Sequence, residues 1–314
     1  MSHESKRFAS IDGVLYNKEK SQLLAFPSGK KDTNITLPSS LTAIGDNAFN
    51  GCGVASITIP AQVSSIGRYA FANCKNLTSI ELPQSVNSIG EGACSQSGLR
   101  SVIIPKNVTE INDYLLSNCE NLSTVTLYQG ITKIGAGAFA GSGLTECNSS
   151  LTEITIPSTT KDFGPWIEDN EYMMIPEGGV LMSCNNLQKI YCRAVTPPEA
   201  SDRVTICPFE ILSSGTLYVP TGTAEAYKAA PGWRYFKNIV EMDFSGIDAV
   251  ETEQKPKVTV ADGRVVVSGD CGLAVEIFAV NGTLMFNGSS GSIPALGHGI
   301  YIVRVGNTTE KVIL

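Results

Sequence analysis

Metal binding, thiol chemistry and histidine-assisted catalysis would have to be carried in this 314-residue chain by nine cysteines and two histidines. Their spacing argues against all three. Cys52, Cys74, Cys94, Cys119, Cys147, Cys184, Cys192, Cys207 and Cys271 never stand two or three residues apart, as zinc knuckles and redox C-x-x-C pairs require. His3 stands at the start of the chain, which leaves His298 as the sole histidine for a Ser/His/Asp or Cys/His site. Asp162-Phe163-Gly164 spells the magnesium motif of protein kinases, but neither a Gly-rich phosphate loop nor an H-R-D sequence accompanies it. Paired carboxylates need no histidine, so Glu168, Asp169 and Glu171 leave a carboxylate hydrolase as a formal alternative. Three acids in one short loop more commonly make a solvated turn. Trp166 and Tyr172 flank them, a composition that could stack on a sugar or dock a basic peptide; Trp166 could equally plug the local core. No catalytic, metal or cofactor residue is expected.

The elements that hold these residues are set by a repeat. Aligned on the last apolar residue of a short alternating run, the chain returns at Leu37, Ile59, Leu82, Ile104, Leu127 and Ile156, at intervals of 22, 23, 22, 23 and 29. A proline follows all but Leu127. Seven residues after each anchor stands a second apolar residue (Ile44, Ile66, Ile89, Ile111, Ile134, Phe163), followed by glycine or, once, by Asn112. An A-F-like pair comes next, at Ala48-Phe49, Ala70-Phe71, Ala93-Cys94, Leu115-Leu116 and Ala138-Phe139. One unit reads L-x-x-I-x-[IL]-P-x-x-V-x-x-I-G-x-x-A-F-x-x-C. Residues between Leu144 and Leu151, and about thirteen after Gly164, are insertions that leave the anchors in phase and must project from the stack.

Each unit is one coil of a solenoid. In Leu77-Thr78-Ser79-Ile80-Glu81-Leu82, alternation turns Ile80 and Leu82 inward and Ser79 and Glu81 outward, as a short strand requires. Proline ends the strand because it has no N–H for the ladder. The A-F-x-x-C stretch suits a single helical or 3-10 turn. One coil cannot bury its apolar side alone, so the core is shared between stacked neighbours. Cys52, Cys74, Cys119 and Cys184 recur at one repeat position that Ser97 and Ser142 also occupy. They read as buried thiols packed as small apolar side chains rather than as a disulfide or metal ladder.

This unit resembles the BspA-like, Treponema-type leucine-rich repeats of bacterial surface proteins, over roughly residues 33 to 192. The hairpin-like opening at Phe8–Asn17 and Leu23–Pro27 resembles the start of such arrays. Ile190-Tyr191-Cys192, Thr196-Pro197-Pro198 and Leu217-Tyr218-Val219-Pro220, with Ala224, Tyr227 and Trp233, resemble the family's terminal unit and cap. The resemblance implies an α/β leucine-rich-repeat solenoid of short parallel strands and one-turn helices. It also implies adhesion, matrix-binding or other surface roles.

After a polar linker, Val258 and Val260 lead to Asp262-Gly263 and Val265-Val266-Val267, a hairpin signal, and Asn281-Gly282 marks a second. With Gly299–Val305 and Lys311–Leu314 these predict a small all-β antiparallel sandwich. Through Val275 to Gly282, Ile293 to Leu296 and Gly299 to Val305 it resembles C-terminal sorting or tail domains of exported Bacteroidetes proteins, as an export address or as a structural cap. The expected organisation is a capping hairpin at 1–32, a solenoid with terminal cap at 33–243, a linker at 244–256 and the β tail at 257–314.

A solenoid offers its outward strand positions as one continuous face. One line runs Thr36, Thr58, Glu81, Ile103, Thr126, Thr155, Tyr191 and Tyr218; its neighbour runs Asn34, Ser56, Ser79, Ser101, Thr124, Glu153, Lys189 and Thr216. These are mostly hydroxylic residues suited to a flat polar contact. Thr58, Glu81, Ile103, Thr126, Ser79, Ser101 and Thr124, with Trp166 and Tyr172 on the insertion, are the candidate partner-binding residues. With 23 basic against 30 acidic residues the net charge is −7, and no nucleic-acid partner is expected. No run approaches the ~18 apolar residues of a membrane span, and Met1 to Arg7 lacks an apolar signal stretch. The expected function is non-enzymatic binding of an extracellular protein or glycan by a cell-surface, secreted or periplasmic protein. The alternative is a structural spacer or coat component without a specific ligand.

Overall fold

The computed structural model describes residues 7–30, 37–141, 150–163, 179–200, 206–245, 257–261, 264–268, 275–288, 293–294, 296–305 and 308–314. Two compact units divide the chain, Met1–Phe244 and Ser245–Leu314.

The first unit is a solenoid with two strand ribbons, capped on different ribbons at its two ends. On the ribbon that carries the Ile-Gly signature, β4 (Ala43–Ile44), β5 (Ser65–Ile66) and β6 (Ser88–Ile89) pair in parallel. β8 (Glu110–Ile111) and β10 (Lys133–Ile134) continue the pattern. At its start β1 (Phe8–Ile11) and β2 (Val14–Asn17) form a hairpin, and β3 (Gln22–Ala25) joins β2 antiparallel to β4 parallel. The other ribbon holds the alternating runs. It begins as a single bridge, Thr58 to Glu81, and becomes regular at β7 (Ser101–Ile103) with β9 (Thr124–Thr126). It ends in a parallel four-stranded sheet of β11 (Glu153–Ile156), β12 (Lys189–Cys192), β13 (Thr216–Pro220) and β14 (Asn238–Met242), in that order.

The glycine of each Ile-Gly pair is required by inter-coil distance. A Cβ on Gly67 would lie 2.6 Å from Gly45 C, and one on Gly90 2.7 Å from Gly67 C. No real Cβ tolerates backbone at that distance, so the Ile-Gly ribbon stacks this closely only with glycine there. Asn112, the exception, donates from Nδ2 to Ile89 O at 2.6 Å.

The A-F-x-x-C stretch turns without becoming a helix, because its N–H groups are divided between two directions. Ala48, Asn50 and Cys52 close i to i+3 turns onto Gly45, Asn47 and Phe49. The alternate groups, on Asn47, Phe49 and Gly51, donate to Arg68, Ala70 and Ala72 of the next coil. The same division recurs at Tyr69, Phe71 and Asn73, and at Tyr114, Leu116 and Asn118. It demands left-handed backbone at two places per coil: Asn47, Tyr69, Gly92, Tyr114 and Gly137 at the first, Gly51, Asn73, Gln96 and Asn118 at the second. A helix would send every N–H along its own axis and leave the stack without this third ladder.

Coils pair off along the solenoid. The Tyr69 ring lies over Gly92 and the Tyr114 ring over Gly137, where a Cβ would overlap ring carbons. Gly98, in the shorter turn of the third coil, fits against Lys75 O of the longer turn before it. The alternating 22- and 23-residue intervals are thus one two-coil brick, the longer coil supplying tyrosine and an extra turn residue, the shorter supplying two glycines.

One apolar core runs through the whole unit. Phe26, Phe49 and Phe71 stack at 5.1 Å between centroids. The far end is closed by α1 (Phe209–Ser214), α2 (Ala224–Ala229) and a 3-10 turn at Trp233–Tyr235. Trp233 is fully buried against Phe163, Tyr227 and Phe236, and its indole N–H donates to Pro198 O at 2.8 Å. Seven cysteines among the described residues are buried and unbridged. Cys74, Cys119 and Cys184 donate from Sγ to the carbonyls of Phe49, Cys94 and Phe139 one coil back. Ser97 occupies the same position with its hydroxyl 3.3 Å from Cys119 Sγ, so the position takes thiol or hydroxyl as a small buried polar group.

The second unit is antiparallel. β15 (Lys257–Ala261) pairs with β16 (Arg264–Ser268). β17 (Val275–Ala279), β18 (Leu284–Gly288), β19 (Ile300–Val305) and β20 (Thr308–Ile313) form a sheet in the order β18-β17-β19-β20. Its core joins Val265 of the hairpin to Val275, Ile277, Tyr301, Val303, Val305 and Val312 of the sheet. The Asn281-Gly282 turn forms as expected, with Gly282 at φ +85° and Thr283 N–H donating to Asn281 Oδ1.

Candidate functional site

Alternate side chains of the ribbon that holds the alternating runs face outward in straight lines, because parallel pairing puts equivalent coil positions opposite one another. Thr58 bridges to Glu81. Ser101 lies opposite Thr124 and Ile103 opposite Thr126. Ser79, Thr58, Glu81, Ser101 and Thr124 are exposed, whereas Ile103 and Thr126 are half-buried. The structure therefore brings seven of the candidate residues onto one face. Trp166 and Tyr172, with Glu168, Asp169 and Glu171, lie outside the described residues, as does the Asn34–Thr36 start of both lines.

The face changes character at its last strands. Thr155 lies opposite Tyr191, Tyr191 opposite Tyr218, and Tyr218 opposite Val240. The two tyrosine rings stack at 4.8 Å with 18° between their planes, an arrangement worth about 0.5–1.5 kcal/mol beyond burial. Both are half-buried, and Val240 is 44% exposed. Beside them runs Glu153, Lys189, Thr216 and Asn238, so the aromatic pair is bordered by one acid, one base and two neutral polar groups.

Local folding explains why the rings stand together. Ile190 and Cys192 point into the core on either side of Tyr191, and Leu217 and Val219 do so around Tyr218; strand alternation then leaves the tyrosines no other face. Behind them Tyr227 O–H donates to Ala194 O at 2.7 Å and contacts Cys192 Sγ at 3.2 Å, which pins β12 to α2. Burial pushes the Cys192 thiol up to about 11. The Glu241 carboxylate is held below its ordinary range by backbone N–H groups, foremost that of Ala224, at 3.0 Å. It caps α2 and takes no part in the face. Among the described residues no group of three or more His, Cys, Asp or Glu could hold a metal ion, and no helix is long and apolar enough to cross a membrane.

Both tyrosines stand in the outward line read from the sequence, but the spacing did not single them out. The 27 residues from Tyr191 to Tyr218 break the 22- or 23-residue interval, so their register depends on the capping helix α1 between them. Their aromatic character among threonines was the available signal.

Residues 24–145 match, in six copies, the model of the BspA type leucine rich repeat region. No curated protein matches the chain. Among solved structures, the pneumococcal vaccine antigen PcpA is 19% identical over 76% of this chain and 48% of its own, with a TM-score of 0.43. A leucine-rich repeat protein of Eubacterium ventriosum is 26% identical over 51% of this chain and 48% of its own, at 0.39. A leucine rich cell surface protein of Faecalibacterium prausnitzii is 18% identical over 81% of this chain and all of its own, at 0.38. The chain spans about half the length of the first two.

Proposed function

With a BspA type leucine rich repeat region over residues 24–145 as the premise, we propose that this protein is a non-enzymatic binding protein of the cell exterior. Its ligand is an extracellular protein or glycan, held on the outward strand face. The observation that carries this reading is the Tyr191–Tyr218 stack at the end of a face that is mostly hydroxylic before it. Tyrosine offers a large, stiff contact area with a polar tip, and such residues concentrate binding energy in recognition surfaces. Each ring also restricts its neighbour, so less side-chain freedom remains to be lost on binding. Thr58, Ser79, Glu81, Ser101, Ile103, Thr126 and Thr124 would then extend the contact along the array.

The test is capture of the purified full chain on an array of matrix proteins, mucins and glycans. Wild type runs beside a Tyr191→Ala/Tyr218→Ala variant and a Thr58→Arg/Glu81→Arg/Thr126→Arg variant, with folding checked by thermal melts. Loss of a captured ligand in the tyrosine variant supports the reading, and loss in the arginine variant as well extends the footprint to the earlier coils. Unchanged capture by both folded variants refutes the face as receptor. A spacer role is the second reading, favoured by the mostly short hydroxylic side chains between Thr58 and Thr126; it predicts no captured ligand even with the wild type.

A further inference from the structure

The stacked tyrosines stand up from the sheet rather than lying on it. Tyr191 and Tyr218 are directly opposite in a parallel pair, which sets their backbones about 4.8 Å apart. Their ring centroids keep the same separation, 4.8 Å, with 18° between the planes. Rings lying flat side by side would collide at this distance, so the two planes face one another along the row, like plates set on edge. One face of each ring is thereby spent on its neighbour. The second face of Tyr191 turns toward Thr155, the next residue of the row, and that of Tyr218 toward Val240.

The Thr155 side forms a step. Threonine ends at its γ atoms, so the Tyr191 ring rises above Thr155 and above Thr126, the equivalent residue one coil earlier. The result is a notch with an aromatic wall and a hydroxyl floor. Glu153 and Lys189 stand two residues before Thr155 and Tyr191 on the same strands, so they leave by the same face of the sheet, and both are exposed. Among the described residues, the side chains of Thr126, Thr155, Glu153 and Lys189 make no hydrogen bond or ion pair. The Val240 side differs: its floor is apolar, and the neighbouring Asn238 spends its Nδ2 on Gly215 O.

These features fit a sugar ring. A hexopyranose with equatorial hydroxyls has an apolar C–H face and a rim on which every hydroxyl both donates and accepts. The C–H face matches the negative face of an aromatic ring. The rim matches floor hydroxyls that do either, a carboxylate that accepts and an ammonium that donates. One acid and one base leave the border without net charge, which suits a neutral sugar over an acidic one. A flat protein surface approaching the sheet would meet only ring edges and phenol hydroxyls.

We infer that the notch between Tyr191 and Thr155 is a subsite for one neutral hexopyranose residue of a glycan, stacked on the outer face of Tyr191 with its hydroxyls held by Thr155, Glu153 and Lys189. The inference rests on the outward face being the receptor surface, and it narrows the ligand of that face from protein or glycan to glycan.

The test is titration of the full chain with neutral β-linked tetrasaccharides of glucose and of N-acetylglucosamine, read by saturation-transfer NMR. Wild type runs beside Tyr191→Ala, Tyr218→Ala and Thr155→Tyr, each checked for folding by a thermal melt. Wild type should pass saturation to the C–H protons of one ring face. Tyr191→Ala should bind about tenfold more weakly. Tyr218→Ala leaves the outer face of Tyr191 in place and should stay within about threefold of wild type. Thr155→Tyr lengthens the aromatic row but fills the notch, so it should abolish sugar binding, whereas a protein held on the ring edges would bind as well or better. Absence of binding by both tetrasaccharides overturns the inference. So does unchanged binding by Thr155→Tyr, or an equal loss in the two alanine variants. A protein captured by wild type and lost in Tyr191→Ala/Tyr218→Ala would then keep the receptor face and strike only the notch; no captured ligand of any kind strikes both.

Discussion

Gly92→Ala measures whether the two-coil brick is a packing unit or a coincidence of spacing. Gly92 sits at φ +59°, and an added Cβ would overlap the Tyr69 ring. Left-handed backbone costs a non-glycine residue roughly 1–2 kcal/mol. The ring could swing away, but Tyr69 O–H donates to Glu91 Oε1 at 2.6 Å, and the same carboxylate pairs with Arg68 at 2.6 Å. Moving the ring gives up that hydrogen bond, about 1 kcal/mol at a half-exposed position, so the expected destabilisation is about 2–3 kcal/mol. Gly51→Ala is the control, with φ +71° and nothing within 4 Å of its Cβ; it should cost only the backbone part, roughly 1–2 kcal/mol. In a Tyr69→Ala background, Gly92→Ala should fall to the same value. Urea unfolding followed by tryptophan fluorescence reads this unit alone, because Trp166 and Trp233 both belong to it. If Gly92→Ala costs the same with and without Tyr69, the ring does not lock the coils and the brick is only a pattern of lengths.

Three further outcomes follow from the core and the cap. The seven thiols among the described residues are all buried, so of the nine in the chain no more than two should react with a thiol reagent at pH 8 before unfolding, and all nine after it. Burial raises Cys52 to about 12 and Cys74 to about 11 from the ordinary 9.0. The folded state therefore holds these protons more tightly than the unfolded chain. Their contribution is complete below about pH 9 and is lost as pH rises through 11 to 12, so the melting temperature should fall steeply over that window and less so in a Cys52→Ala/Cys74→Ala variant. Trp233→Ala should cost about 3–5 kcal/mol through the void left among Phe163, Tyr227 and Phe236. Trp233→Phe should cost less, chiefly the hydrogen bond to Pro198 O; a null effect of the alanine variant in urea unfolding would show that the cap is dispensable.

The solenoid was legible because its constraints repeat. Inward Ile80 and outward Glu81 follow from alternation, and the buried position of Cys74 and Cys119 follows from serine at Ser97. The tail hairpin at Asn281-Gly282 was equally plain, since a two-residue turn is chosen by residues that accept positive φ. Two features were not legible, both because their cause lies between coils. The A-F-x-x-C stretch reads as a single tight turn, as it is, but only the next coil, accepting from Asn47, Phe49 and Gly51, shows why it stops there. Gly92 and Gly137 break the run of side chains at their position for a reason carried by Tyr69 and Tyr114, 23 residues earlier. The site was half legible in the same way: the outward lines could be written down, but the contact between Tyr191 and Tyr218 depends on the length of α1 and the cap.

The two ribbons meet different fates, and that difference bears on where recognition can occur. The Ile-Gly ribbon is closed at its start by the β1–β3 hairpin, and its coils approach too closely for side chains to vary at the glycines. The outward ribbon begins as a bridge between Thr58 and Glu81 and gains full strands only from β7 onward; β12 and β13 are each paired on both sides. Two-sided pairing and a stacked aromatic pair coincide there. Coils added to or removed from the middle of the array would change its length and the extent of its hydroxylic face, but not that patch, because the registers of Tyr191 and Tyr218 are set by the cap, through Tyr227 on Ala194 and Trp233 on Pro198. In this chain coil number sets the length of the hydroxylic face, and the cap sets the aromatic pair that ends it.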